Sequence, residues 1–407
     1  MKQNYTLLLF SLILSILITE IILRNFPSLI SRELLSYLPG TNVKKEILEK
    51  RGFKIQKNLS KTVNIEGYNF TYYLNNFPSI DDNVDIKLGA TNTFYYKDGF
   101  CNEKVKYSDL KIIAVGDSFT YCTSVFPNQS WTKKVFKNIE NDKKLNLGYP
   151  GSGPFEYNLI LNKYITEKNI LVLYGFYEGN DLRDLINFKY SKKGEKSKTN
   201  YLKKILLFFI DDFYTGNFLI ALYKNILSFA KPNFRYSRTN FSQKFNINNT
   251  DIDELDKAKK LFLKENIDKE IIITKENYKM LLREAFVKAN EIANSNNNEI
   301  IFLLLPAAYS SFGNNIKFED EKIHRIIKNY SLTNNQLFKE ICKEEKLNCL
   351  NLKDEFIKYN HINKLPSHFP SNVHLTNQGH EIVSNAVEKY ICKNKKNLAR
   401  RLESICF

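Results

Sequence analysis

The chain reads as an α/β protein: a parallel sheet covered by helices on both faces. Three observations predict it. Short apolar runs such as Leu110–Val115 and Leu171–Phe176 are continuous rather than alternating, as strands buried on both faces are. Amphipathic stretches of helical period separate them. Small and polar residues follow the runs directly, where open α/β sheets place their sites.

The elements follow in order. "DLKIIAVG" (109–116) is a buried strand and "SWTKKVFKNIEN" a helix. "KLNLGYP" is a second strand, "PFEYNLILNKYITEK" a second helix and "NILVLYGF" a third strand. After an interruption, "NYKMLLREAFVKANEIAN" sets Tyr278, Leu281, Leu282, Ala285, Phe286, Ala289 and Ile292 on one helical face. The strand "EIIFLLLP", a helix through "NNQLFKEICKEE" and the strand "LNCLNL" come next. "TNQGHEIVSNAVEKYIC" closes the array as a helix that buries Ile382, Val383, Ala386, Val387 and Tyr390. Five parallel strands result.

The interruption, about 187–272, holds "YLKKILLFFIDDFYTGNFLIALYKNILSFA" between charged and Asn-rich stretches. Asp211, Asp212 and Gly216 divide it into pieces too short to cross a bilayer. It reads as a helical insertion over the sheet, with an interfacial helix pair as the alternative. Residues 26–105 read as an irregular, partly β approach segment, 106–395 as the main domain and 396–407 as a tail.

At the other end, Tyr5–Arg24 is nearly uninterrupted apolar or hydroxyl sequence, long enough as a helix to cross a ~30 Å hydrocarbon core. The "RNFPSLISRE" that follows offers no small-x-small cleavage site, so residues 1–25 are expected to be an uncleaved transmembrane anchor. Lys2 competes with Arg24 and Arg32, which leaves the orientation open.

Of 407 residues, 43% are hydrophobic and 14% aromatic, enough for a large core and against disorder. The net charge of +16 raises nucleic acid as a partner. The lysines are scattered among Asn and Ile, with no basic stripe, helix-turn-helix or ribonucleoprotein signature, so no nucleic acid is expected. The charge reads as a solvated basic surface, with anionic lipid headgroups or polysaccharide as the next candidates because of the apolar amino-terminal segment. Six cysteines occur, Cys101, Cys122, Cys342, Cys349, Cys392 and Cys406. None forms a Cys-x-x-Cys pair and no His lies at zinc-finger spacing, so no metal cluster is expected, and no other cofactor is expected either. Cys342/Cys349 and Cys392/Cys406 delimit short loops that disulfides could close. With the anchor, this favours a catalytic region outside the cytoplasm, periplasmic or extracellular.

Four segments bring useful chemistry to the strand ends: Ser118 after the first strand, Gly148, Gly151 and Gly153 after the second, Asn180 after the third, and His374 before the last helix. Acyl transfer through a serine needs a base for the hydroxyl proton and donors facing the oxyanion. Ser118 and His374 supply the first pair. The Ser118 N–H, the Gly151 N–H and the Asn180 amide supply the donors. Asp117 and Asp181 read as turn-fixing residues, His380 as structural, and His324, His361 and His368 as surface or loop residues, His368 being close enough in sequence to line the site.

These blocks resemble the SGNH, or GDSL-type, hydrolases. Gly116-Asp117-Ser118-Phe119 is similar to the first block of that family, and Asn146–Gly151 to the second. Gly179-Asn180-Asp181 is similar to the third, and His374-Leu375-Thr376 through Gly379-His380 to the last. The resemblance spans roughly residues 90 to 395 without the insertion. It implies a flavodoxin-like α/β/α sandwich and a membrane-anchored serine esterase acting through an acyl-enzyme on an ester, an acylated envelope glycan or lipid. Two alternatives stand beside it, an O-acetyltransferase acting on a polysaccharide and a catalytically weak binding module. The family places an Asp two or three residues before its histidine, whereas Ser371 and Asn372 stand there in this chain. They are candidates to orient His374. Cys101 and Cys122 occupy positions where membrane-anchored relatives carry an approach-segment motif and a turn glycine, which implies that the two cysteines pair.

Overall fold

A computed structural model describes residues 2–30, 43, 46, 59–65, 68–74, 100–102, 109–190 without 124 and 126, 213–229, 233–238, 241–246, 275–363 without 319 and 320, 366–369 and 374–402. In chain order the strands are β1 (Leu59–Ile65), β2 (Tyr68–Leu74), β3 (Ile112–Gly116), β4 (Lys144–Gly148), β5 (Leu171–Tyr177), β6 (Asn233–Arg238), β7 (Phe241–Asn246), β8 (Glu299–Leu305), β9 (Ile316–Phe318) and β10 (Cys349–Asn351). The helices are α1 (Lys2–Asn25), α2 (Trp131–Lys134), α3 (Pro154–Tyr164), α4 (Asp181–Tyr190), α5 (Tyr214–Phe229) and α6 (Lys275–Ser295). They continue with α7 (Ala308–Ser311), α8 (Glu321–Glu344), α9 (Lys353–Ile362), α10 (Asn377–Asn394) and α11 (Lys396–Arg401).

The chain divides into two units: residues 1–57, 77–79 and 192–231 form one, and 58–76, 80–191 and 232–407 the other. In the larger unit five strands pair in parallel in the order β10-β8-β5-β3-β4. The five apolar runs picked out in the sequence are these strands. Their order is that of flavodoxin-like doubly wound sheets, whose crevice lies at the β3/β5 side of the switch in winding. Alternate residues feed two cores. Ile113, Val115, Val172, Tyr174, Phe302 and Leu304 meet α3, α4, α6 and α8 on one face. Ile112, Ala114, Leu171, Leu173, Ile301 and Leu303 meet α2, α9 and α10 on the other. All seven residues assigned to the apolar face of α6 are buried.

Three expectations need correction. The segment after Ser130 makes only one helical turn, because Val135 turns extended and Phe136 takes φ +50°. The Phe136 N–H then donates to Glu388 Oε1 on α10 at 2.6 Å rather than to its own helix. The region read as a helical insertion also contributes β6 and β7, an antiparallel hairpin that β9 extends to three strands. Its alternating Phe234 and Tyr236 carry the period-two signal of a strand. His368, read as a surface or loop residue, is fully buried. The partly β approach segment does contain a hairpin, β1 with β2.

In the smaller unit, α1 covers the stretch read as a transmembrane span. Among the described residues, however, no helix is long and apolar enough to cross a membrane, and the side chains at 2–6, 9 and 12 lie outside the description. Glu20 of α1 is buried and accepts from Thr215 N–H at 2.8 Å, Thr215 Oγ1 at 2.9 Å and Arg24 Nε at 2.6 Å. Its carboxylate thereby satisfies donors at the first turn of α5, where anionic groups are stabilised.

Two expected disulfides are present, Cys101–Cys122 and Cys342–Cys349. Cys392 is also disulfide-bonded; Cys406 lies outside the described residues.

Candidate active site

The site is built at the carboxyl ends of β4, β3 and β5, which are neighbours in the sheet. The β3 strand ends at Gly116, and the turn Asp117–Tyr121 follows. Asp117 is fully buried; its Oδ1 accepts from the Phe119 N–H at 2.8 Å, and its backbone carbonyl from the Tyr121 N–H at 2.9 Å. These bonds close the turn and leave Ser118 partly exposed at its apex. Burial, reinforced by the neighbouring Asp184 charge, pushes the Asp117 carboxyl up to about 7.

His374 reaches the serine from the far end of the chain. Its Nε2 lies 3.0 Å from Ser118 Oγ, so with the proton on Nδ1 the imidazole accepts the serine hydroxyl. The ring stacks on Phe119 at 5.0 Å between centroids. Its backbone carbonyl accepts from the Phe369 N–H at 2.8 Å, and the Thr376 N–H donates to the Ser367 carbonyl at 3.0 Å. Thr376 also caps α10, its Oγ1 accepting from the Gly379 N–H at 3.2 Å.

The loop carrying His374 is clamped from below by His368. One ring nitrogen, Nδ1, lies 2.9 Å from Ser367 Oγ and the other, Nε2, 3.2 Å from the Pro306 carbonyl. A neutral ring satisfies both contacts, with Nε2–H donating and Nδ1 accepting. Burial holds His368 in that neutral form by pushing it down to about 3. Ser371 and Asn372, the candidates to orient His374, lie outside the described residues. His380 is structural, as read: it is buried, and its Nδ1 accepts from the Trp131 N–H at 3.1 Å.

The two residues expected to supply donors stand in the turns after the flanking strands. Gly151 follows β4 and is itself exposed, at φ +78° with open space where a side chain would project, a conformation that favours glycine. The loop is tied to the nucleophile strand through the Tyr149 N–H, which donates to the Gly116 carbonyl at 2.8 Å. Asn146 joins the same two segments, donating from Nδ2 to the Thr120 carbonyl and accepting at Oδ1 from the Gly148 N–H. Asn102, one residue beyond the Cys101–Cys122 disulfide, pairs with the Asn146 backbone through two 2.9 Å bonds. Asn180 stands at the start of α4, after β5. Asp181 fixes that turn by accepting from the Tyr177 N–H and the Tyr157 hydroxyl, both at 2.8 Å.

A carboxylate the sequence reading did not single out supports the third block. Glu178 is buried and accepts from the Ala307 N–H at 2.9 Å and Asn335 Nδ2 at 3.1 Å, and from the Ser310 and Ser331 hydroxyls. It thus ties the Asn180 turn to α8 and to the loop whose Pro306 carbonyl receives His368. The structure therefore brings Ser118 and His374 into bonding distance and sets Gly151 and Asn180 on the two adjacent strand ends. Hydroxyl, base and flanking donors together can carry out nucleophilic acyl transfer. Among the described residues no group of His, Cys, Asp and Glu could hold a metal ion.

No family model and no curated relative matches the chain. Solved structures do resemble it. A member of the lipolytic protein G-D-S-L family from Veillonella parvula is 12% identical, over 70% of this chain and 98% of that one, with a TM-score of 0.36. Axe2, an acetylxylan esterase from Geobacillus stearothermophilus, is 12% identical over 70% and 94%, with a TM-score of 0.35. LAE5, an alpha/beta hydrolase enzyme from the metagenome of Lake Arreo, is 10% identical over 70% and 96%, also at 0.35. The first carries the family name that the four sequence blocks resemble.

Proposed function

We propose that this chain is a serine ester hydrolase of the SGNH type, working through an acyl-enzyme. One observation carries the reading: the 3.0 Å contact between His374 Nε2 and Ser118 Oγ, across 256 positions of sequence, at the strand ends where such sites form. Ser118 Oγ attacks the ester carbonyl carbon as its proton passes to His374 Nε2. The tetrahedral oxyanion is received by the Ser118 N–H, the Gly151 N–H and the Asn180 amide. Collapse breaks the ester C–O bond, and the imidazolium gives its proton to the departing alcohol. Water, deprotonated by His374, then releases the acid and restores Ser118.

The substrate class is an ester on an envelope glycan or lipid, met at a membrane. Supporting that placement, Leu7, Leu8, Phe10, Ile13, Leu14, Leu17, Ile18, Ile21 and Ile22 of α1 are all exposed. At 100° per residue they cover roughly 220° of the helix circumference, a spread that lipid covers more readily than a single protein groove. Leu219, Leu222, Tyr223 and Ile226 add an exposed stripe on α5, in the same unit. The disulfides support a location outside the cytoplasm.

The test supplies p-nitrophenyl acetate with and without an oligosaccharide acceptor and measures nitrophenol, free acetate and acetylated sugar. An esterase releases acetate equal to nitrophenol under both conditions. Acetyl groups appearing on the sugar at the expense of acetate assign the chain to O-acetyl transfer instead. No nitrophenol above a Ser118→Ala control leaves only a binding module.

A further inference from the structure

The Asn180 amide can serve as a donor only if its nitrogen, not its oxygen, keeps a fixed direction. Its Nδ2 donates to Asp184 Oδ2 at 2.6 Å. An ionised carboxylate only accepts, so the reversed amide would set two oxygens against each other. One amide hydrogen is held by Asp184, and the second is left directed away from it. The Asp184 carboxylate is in turn fixed by its neighbour: Arg183 donates to Oδ1 from Nε at 2.8 Å and Nη2 at 2.7 Å. That two-point pairing offsets a negative charge that would otherwise oppose an oxyanion nearby.

Asp184 also touches the other donor loop. A side-chain carbon placed on Gly153 would lie 2.6 Å from Asp184 Cβ, so the chain two residues beyond Gly151 packs directly on this side chain. Gly153 is further held by Glu156, whose Oε2 accepts its N–H at 2.7 Å. The same residue therefore orients the Asn180 amide and sets the spacing between the Asn180 turn and the Gly151 loop.

We infer that Asp184 is a positioning residue for the oxyanion site, acting through Asn180. The inference rests on the esterase reading above and deepens it. Asp184 touches no reacting atom; its effect on rate passes through the amide it aligns. A misplacement on the order of 1 Å in such a group costs up to ~10²-fold in rate.

The test is a double-mutant cycle on the full chain, comparing wild type, Asp184→Ala, Asn180→Ala and the double variant, with Asp184→Asn as the conservative replacement. Hydrolysis of p-nitrophenyl acetate and the rate of fluorophosphonate labelling of Ser118 are both read. Asp184→Ala is expected to lower kcat about 10- to 100-fold with KM changed less than about threefold. Asp184→Asn, whose Oδ1 can still accept from Asn180, recovers most of the loss. In the Asn180→Ala background the same Asp184 change costs less than about threefold. An equal fold loss in both backgrounds overturns the inference, because a merely structural role does not depend on the amide. Full activity of Asp184→Ala overturns it as well. Wild type that neither hydrolyses nor labels, while folded, removes the esterase reading itself and the inference with it.

Discussion

Asp117 ties stability to pH at the residue beside the nucleophile, and the effect has a definite sign. Burial raises its carboxyl from 3.8 to about 7. Between those values the unfolded chain has lost this proton while the folded chain keeps it. Unfolding therefore releases a proton, and stability falls as pH rises, by about 1.4 kcal/mol per pH unit for one group. From pH 5 to pH 8 the drop attributable to Asp117 is about 2–3 kcal/mol, most of it below pH 7. The perturbation is Asp117→Asn. Its Oδ1 can still accept the Phe119 N–H, and its amide nitrogen faces Ser118 Oγ, 3.4 Å from the present Oδ2. Denaturant unfolding of both proteins is measured at pH 5, 6, 7 and 8. Glu156, pushed up to about 7 by burial, lowers both curves alike. The difference between the curves reports Asp117 together with its coupling to the buried Asp181, whose carboxyl burial and then the Asp117 charge raise, with the variant gaining about 2–3 kcal/mol on wild type by pH 8. Parallel curves across that range refute the reasoning.

Three further outcomes follow from the same contacts. Glu178→Ala removes the acceptor of two N–H groups and two hydroxyls and opens a cavity; it is expected to cost about 3–5 kcal/mol in denaturant unfolding and to lower kcat, whereas a loss below about 1 kcal/mol contradicts its role as a junction. His368→Phe keeps a ring among Phe119, Phe312 and Phe356 but loses the bonds to Ser367 and Pro306. Steady-state kinetics should show kcat down about tenfold with KM little changed, and an unaltered kcat removes the clamp on the His374 loop. Cys101→Ser with Cys122→Ser opens a 21-residue link and should lower stability by about 3 kcal/mol on the loop-entropy account, seen as a lower denaturant midpoint.

The legible parts of the sequence were those with strong local signals. Five continuous apolar runs announced the parallel sheet, and α6 and α10 followed from period 3.6. Ser118 and His374 were found because a hydroxyl and an imidazole stood beside strand and helix ends. What escaped depends on residues distant in sequence. Strand β9 has three residues and exists by pairing with β6, some 80 positions earlier. The helix expected after Ser130 stops because Glu388 captures the Phe136 N–H, a contact no local window contains. His368 reads as a loop residue until Phe119, Phe312 and Phe356 close over it. Asp184 sits one helical turn after Asn180, at a spacing common on any helix, and only its 2.6 Å bond to the amide sets it apart.

The central claim is that Ser118 is a nucleophile activated by His374, and mass mapping after treatment with a fluorophosphonate tests it most directly. A single adduct on the peptide carrying Ser118, formed at least 100-fold more slowly in a folded His374→Ala variant, is the predicted result. An unlabelled Ser118 in folded wild type, or labelling at the same rate without the imidazole, would contradict it.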